Sequence, residues 1–196
     1  MFKGLAFGPI AAALILALGS TTAVAQDHIF ALSYFSNAHT RGAPDGVLRL
    51  VNDGTVSDAS PAGDLCASIY VFDSAELLNE CCSCRITPNG ILSLSVNTNL
   101  TSDTVTGRIP TRGIIKVVSS TPVAGRCESA AEAPQTGIRG WLTHVQKGTG
   151  TRFSQTEEEL TDSFYSTLEA ADLVEDCQFI LFIGNAGICS CIDSLQ

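Results

Sequence analysis

Eight cysteines constrain this chain more than any other feature of it. They are Cys66, Cys81, Cys82, Cys84, Cys127, Cys177, Cys189 and Cys191, an even set. Three crowd into ECCSC at 80–84 and two into CSC at 189–191. The N-terminus indicates which environment that sulfur meets. Lys3 precedes the apolar stretch LAFGPIAAALILALG, and small residues at Ala23 and Ala25 lead to Gln26. This is the pattern of a secretory signal peptide spanning 1–25. A membrane anchor fits worse, because the apolar run is short and contains Pro9. Exported thiols meet an oxidising environment and pair. Four disulfides are therefore expected, each contributing about 2–4 kcal/mol, mostly by restricting the unfolded chain.

Spacing narrows the pairing, although eight cysteines allow about 105 connectivities. Residues i and i+2 of an extended segment share a face. Cys82 and Cys84 then point one way together, as do Cys189 and Cys191, and two parallel bridges can lace the segments. Cys81 points the other way and is expected to pair with Cys66 or Cys127. The C-C-x-C and C-x-C spacings differ from those of zinc knuckles, and His28, His39 and His144 all lie far from the cysteines in sequence. No metal ligand is assigned on this basis. No C-x-x-C follows a β-α-β pattern, so no redox dithiol is assigned either.

Residues 26–196 are long enough for one domain burying roughly 70% of its unfolded surface. Strands are predicted at 28–36, 47–51, 65–72, 91–97, 114–120, 138–146 and 151–160, divided by turn sequences such as PDG, NDG, TPNG and KGTG. Asp73 and Glu76 form a capping-box pattern that predicts a short helix near 74–80. Ser166 and Glu169 repeat it before a second helix near 167–182. There Ala170, Leu173, Val174, Cys177 and Leu181 make an inward apolar stripe. Strands and helices do not alternate, which argues against a doubly wound sheet. The expected fold is mainly β: a disulfide-stapled antiparallel β-sandwich of the immunoglobulin-like, Greek-key type.

Charge is unevenly distributed. Beyond Arg152 there is no basic residue, yet nine acids follow. Such a surface repels phosphate backbones, which argues against nucleic acid as a partner. No G-x-S-x-G elbow occurs, and GTGTRF at 148–153 lacks the lysine of a phosphate-binding loop. Alternation puts His144 on the exposed side of its strand. The Asp45-Gly46 and Asp53-Gly54 pairs read as turn chemistry rather than calcium loops. Trp141, Tyr34, Tyr70 and Tyr165 are the aromatics a glycan platform would use. Asn99-Leu100-Thr101 is a formal glycosylation sequon in a predicted loop. No catalytic or cofactor-binding residue is assigned.

The segments DHIFALSYFSNA, ASIYVFD, ECCSC, ITPNG and GICSC resemble those of uncharacterised secreted cysteine-rich bacterial proteins. That resemblance implies export and disulfides and carries no activity.

The resulting expectation is a secreted or periplasmic, non-enzymatic module for extracellular binding, adhesion or assembly, with an extracellular protein or glycan, or its own copies, as partner. The alternatives are a small hydrolase working through Asp/Glu and a thiolate or carboxylate metal-binding protein. Titration of the unreduced, denatured chain with a thiol reagent is expected to find essentially no free SH. Recovery of most of the eight would remove the covalent framework.

Overall fold

The computed structural model describes residues 28–56, 63–128 and 133–192. The expected signal peptide, 1–25, lies outside the described residues. In chain order the elements are β1 (Phe30–Ser36), β2 (Val47–Asn52), β3 (Leu65–Asp73), β4 (Leu78–Ile86), β5 (Ile91–Ser95), a π-type turn (Val96–Leu100), β6 (Arg112–Thr121), β7 (Ala133–Pro134), β8 (Ile138–Lys147), β9 (Phe153–Glu159), β10 (Thr161–Asp162) and α1 (Thr167–Ile183). The protein is mainly β, as its turn-punctuated apolar segments predict. Two sheets form, one ordered β10-β1-β6-β3-β4 with β7 on β6, the other β5-β2-β8-β9. All the strand pairs are antiparallel.

Alternation decides what each sheet buries. Leu48 and Leu50 of β2, Leu92 and Leu94 of β5, and Leu142 of β8 come from one sheet. They join Ala67, Ile69 and Val71 of β3 and Ile115 and Val117 of β6 from the other in a single apolar cluster. The opposite face of the first sheet carries Phe30, Tyr70 and Val118, which pack with Leu173, Cys177 and Ile180 of α1 in a second cluster. Helix α1 begins where the capping pattern places it, with the Glu169 amide donating to Ser166 Oγ at 3.0 Å. It ends at Gly184, whose φ of 68° is left-handed. Leu181 is not in the buried stripe but 43% exposed; Ile180, one turn beyond Cys177, takes the inward place.

The helix expected near 74–80 is absent. Asp73 Oδ1 accepts from the amides of Ala75 at 2.8 Å and Leu77 at 3.2 Å, closing a hairpin turn in which Glu76 has a φ of 62°. A left-handed residue cannot continue an α-helix. Residues 78–86, which begin in the expected helix and lie outside the predicted strands, instead pair along β3. A bulge puts Leu78 opposite Phe72 and Glu80 opposite Val71. The local cap signal loses because the ladder buries Cys81, Cys82, Cys84 and Ile86. The strand predicted over 91–97 also stops short. Ser95 Oγ accepts from the Thr98 amide at 2.9 Å and starts the π-type turn.

Four disulfides join Cys66–Cys127, Cys81–Cys177, Cys82–Cys189 and Cys84–Cys191. The last two are the parallel lacing that the i, i+2 spacing suggests. Cys81 bonds neither Cys66 nor Cys127 but Cys177, because its outward face is covered by α1. The C-terminal segment also makes backbone contacts along β4. The Cys81 amide donates to Gly187 O at 2.8 Å and the Cys189 amide to Cys81 O at 3.3 Å. An edge that would otherwise be open to another chain is thus partly capped. The opposite edge strand of the second sheet, β9, ends in Glu157, Glu158 and Glu159, a charge row that discourages edge pairing.

Gly187 makes this contact possible. Its φ is 92°, and a Cβ there would stand 2.6 Å from Ile180 Cγ2 and 3.2 Å from Asn79 O. Gly187→Ala is therefore expected to cost about 1–3 kcal/mol, measured by denaturant unfolding of the oxidised chain. An unchanged midpoint would show that the segment is not held against β4.

Candidate functional site

The outer face of the first sheet and α1 enclose a groove of about 350 Å³. Phe72 at the end of β3, Ile114 and Lys116 of β6, and Leu173 of α1 supply its apolar floor and its cation. Strand alternation turns Phe72, Ile114 and Lys116 outward, and α1 crosses above them. Five carboxylates line it: Asp73, Glu76, Glu169, Asp172 and Asp176. Lys116 Nζ lies 2.6 Å from Glu169 Oε1 and 4.5 Å above the Phe72 ring. Its charge is engaged within the site, so the groove keeps a strongly negative balance. A second hollow of about 250 Å³ adjoins it, lined by Leu77, Leu78, Val105, Phe179 and Ile180 and sharing Glu76 and Asp176.

Two of these carboxylates are shifted in opposite directions. Burial pushes Asp73 up, but the amides of Ala75 and Leu77, the Asn79 side chain and the charge of Arg108 outweigh it and hold the group below its ordinary value. Burial, followed by repulsion from Asp172 and Glu175, raises Asp176, with Lys116 opposing. Sequence reading did not single out this groove, since its residues come from β3, β6 and α1. One signal was available: Lys116 is a lone cation inside the apolar strand IIKVV.

His144 is not on an exposed face. It is 1% exposed at the seam of the two sheets, where the Tyr34 ring lies 4.2 Å away, centroid to centroid. The alternation assigned to it is right but the face is the buried one, because β1 packs over β8 there. Ser33 Oγ lies 3.2 Å from His144 Nε2, and Glu158 Oε2 lies 3.8 Å from the same nitrogen. A nucleophilic triad needs its carboxylate on the other ring nitrogen. His144 Nδ1 is buried and has no partner among the described residues. Burial lowers the histidine's pKa, with Glu158 opposing. The cluster is best described as a packed seam.

The other sequence candidates are dispersed. Tyr70 is fully buried, Tyr34 half exposed, Trp141 sits opposite Arg49 and Glu159, and Tyr165 lies against Phe30 at 5.2 Å. They form no common platform. Asp45 accepts from the Asn97 amide at 3.1 Å and from Ser95 Oγ, and Asp53 accepts from the Thr55 amide at 3.0 Å, so both hold turns. Asn99 of the sequon is buried, with Nδ2 donating to Ile192 O at 2.9 Å. Folding thus takes away the loop exposure that its sequence suggested.

Glu80 carried no assignment in the sequence, yet it is fully buried on the same face of β4 as Cys82 and Cys84. The Asp103 amide donates to its Oε1 at 2.7 Å, and its Oε2 has no partner among the described residues. Burial raises its pKa to about 7, the Asp103 amide opposing and the Asp103 charge adding to the rise. Between the ordinary value of 4.5 and about 7 the folded chain holds a proton that the unfolded chain has released. Stability must then fall as pH rises through that window, by about 3 kcal/mol in full. Denaturant unfolding from pH 5 to 8 is expected to show this slope, and Glu80→Gln to flatten it. Equal slopes in the two proteins would refute the assignment.

Among the described residues no helix is long and apolar enough to cross a membrane. No protein-family model matches the chain, and no curated protein or solved structure matches it.

Proposed function

We propose that residues 26–196 form, after removal of a signal peptide, one secreted or periplasmic disulfide-rich domain that binds an extracellular protein without catalysing a reaction. Its body is read as an antiparallel β-sandwich of Greek-key type, since β1 with β6 and β2 with β8 join segments distant in sequence. Its contact site is the groove beside α1, and the occupant is a basic, partly aliphatic segment of the partner.

The observation that carries this reading is the combination of an apolar floor with a rim of five carboxylates against one lysine. A lysine or arginine side chain matches both parts, since its stem covers apolar surface while its head stays among charges. A bacterial or host glycan, being mostly neutral or acidic, would gain less from five carboxylates. Anionic membrane surfaces would be repelled. The Cys81–Cys177 bridge fixes α1 to β4, so the groove does not have to be ordered when a partner arrives.

A second reading, a hydrolase using Asp/Glu, draws on the opposite shifts of Asp73 and Asp176. Such divergence is how an acid and a base are assigned in carboxylate enzymes. The binding reading is preferred because Asp73 Oδ1 is already engaged by two amides of its own turn.

The test is titration of the oxidised protein with an amphipathic Lys/Leu peptide and with its Glu/Leu counterpart. Only the basic peptide is expected to bind, more weakly as salt rises. Reversal of Asp172 or Asp176 to Lys is expected to weaken it roughly tenfold, equivalent to about 1.4 kcal/mol. Equal affinity for both peptides, or indifference to the reversals, would sink the proposal. Turnover of a glycan panel that disappears in Asp176→Asn would establish the hydrolase instead.

A further inference from the structure

The lacing of β4 to the C-terminal segment brings four sulfurs from two distant stretches into one place. Cys82 Sγ and Cys84 Sγ are 3.8 Å apart although they belong to different bridges. The sulfurs of Cys82, Cys84 and Cys191 all lie within 4.8 Å of one another, and Cys189 is bonded to Cys82. A tetrahedral cation with metal–sulfur distances of about 2.3 Å needs its sulfurs roughly 3.8 Å apart. The Cys82–Cys84 separation already meets that requirement. The bonded partners need only part to van der Waals contact.

We propose that this pair of bridges is the oxidised form of a tetrathiolate site for a zinc-class cation, with Cys82, Cys84, Cys189 and Cys191 as ligands. The inference does not depend on the groove beside α1.

Three observations support a site rather than a mere crowding of bonds. First, the two segments are positioned by contacts that do not involve sulfur. Cys82 and Cys84 sit opposite Ile69 and Ala67 in the β3–β4 ladder. The other segment is held by the Gly187 and Cys189 bonds to Cys81, by the Ser190 amide on Asn99 O at 3.0 Å, and by Asn99 Nδ2 on Ile192 O. None of these contacts is a bond that a reductant cleaves. Second, the donors are all sulfur, which selects borderline and soft cations over calcium or magnesium. Third, Cys82, Cys84 and Cys189 are buried in the apolar core while Cys191 is exposed. The site thus has dry walls and one point of entry for a reductant and an ion.

The chemistry balances with a dithiol reductant. Two dithiol molecules give up four electrons and four protons and become disulfides. The Cys82–Cys189 and Cys84–Cys191 bonds break and four S–H groups form. Cation binding then displaces four protons as the thiols become thiolates.

The full chain, reduced with a phosphine under anaerobic conditions, can be titrated with cobalt(II) as a spectroscopic stand-in for zinc. The visible absorption of tetrahedral thiolate-bound cobalt is expected, saturating at about one equivalent and collapsing on addition of zinc. The oxidised chain should show none of it. Cys82→Ser/Cys84→Ser is expected to abolish the band, and Cys66→Ser/Cys127→Ser to retain it. Alkylation followed by peptide mass spectrometry supplies a readout that holds whether or not the reduced chain stays folded. Equimolar zinc should protect Cys82, Cys84, Cys189 and Cys191 while Cys66, Cys81, Cys127 and Cys177 react. Reaction at all eight, or a band that survives Cys82→Ser/Cys84→Ser, overturns the proposal.

Discussion

The edge of β4 is the constraint around which the rest is arranged. An unpaired edge strand exposes amides and carbonyls that invite another chain. Here the same strand directs Cys81 outward and Cys82 and Cys84 inward, and each is bonded to a residue more than ninety positions away. Bridges that close loops this long restrict the unfolded chain strongly, by about 5 kcal/mol each in the chain-entropy account. The three loops overlap, so those contributions do not add. The geometric effect is clearer than the energetic one. One strand locates both the helix on the outer face and the terminal segment along the edge.

Placement of the helix then creates the groove. Without α1 held over β3 and β6, Phe72, Ile114 and Lys116 would lie on an open sheet surface. With it, carboxylates from the β3–β4 turn and from the helix come to surround them. The negative balance there follows in part from composition, because α1 belongs to the portion beyond Arg152, which contains acids and no bases, while Asp73 and Glu76 come from the β3–β4 turn. Its concentration on one side of a groove follows from the fold. The same strand that positions the helix also gathers the four sulfurs of the lacing, so the two candidate functions share a single structural origin and use different faces of β4.

Strands with clean alternation and a terminal helix with a real N-cap were legible in the sequence, because those signals are local. Leu92 and Leu94 alternate with Ser93 and Ser95, and Ser166 caps α1 through the predicted amide of Glu169. The failures occur where a long-range partner decides. Asp73 and Glu76 look like a helix start until the β3 ladder claims residues 78–86. His144 alternates correctly, but which face is buried depends on β1 lying over β8. Asn99 reads as a loop residue until the terminal segment settles on it. Glu80 passed unnoticed because a residue at the end of an expected helix has no inward direction until β4 pairs with β3.

From the order of residues alone come the even set of sulfurs, the i, i+2 spacing that permits parallel lacing, the β-rich class, the terminal helix and the acidic C-terminal portion. Each rests on chemistry carried by neighbouring residues. Which cysteine meets which, where the acids face, and whether a polar side chain lies in water or in the core were settled only by packing. Those outcomes depend on segments more than a hundred residues apart being brought side by side. A short window of sequence contains no information about that encounter.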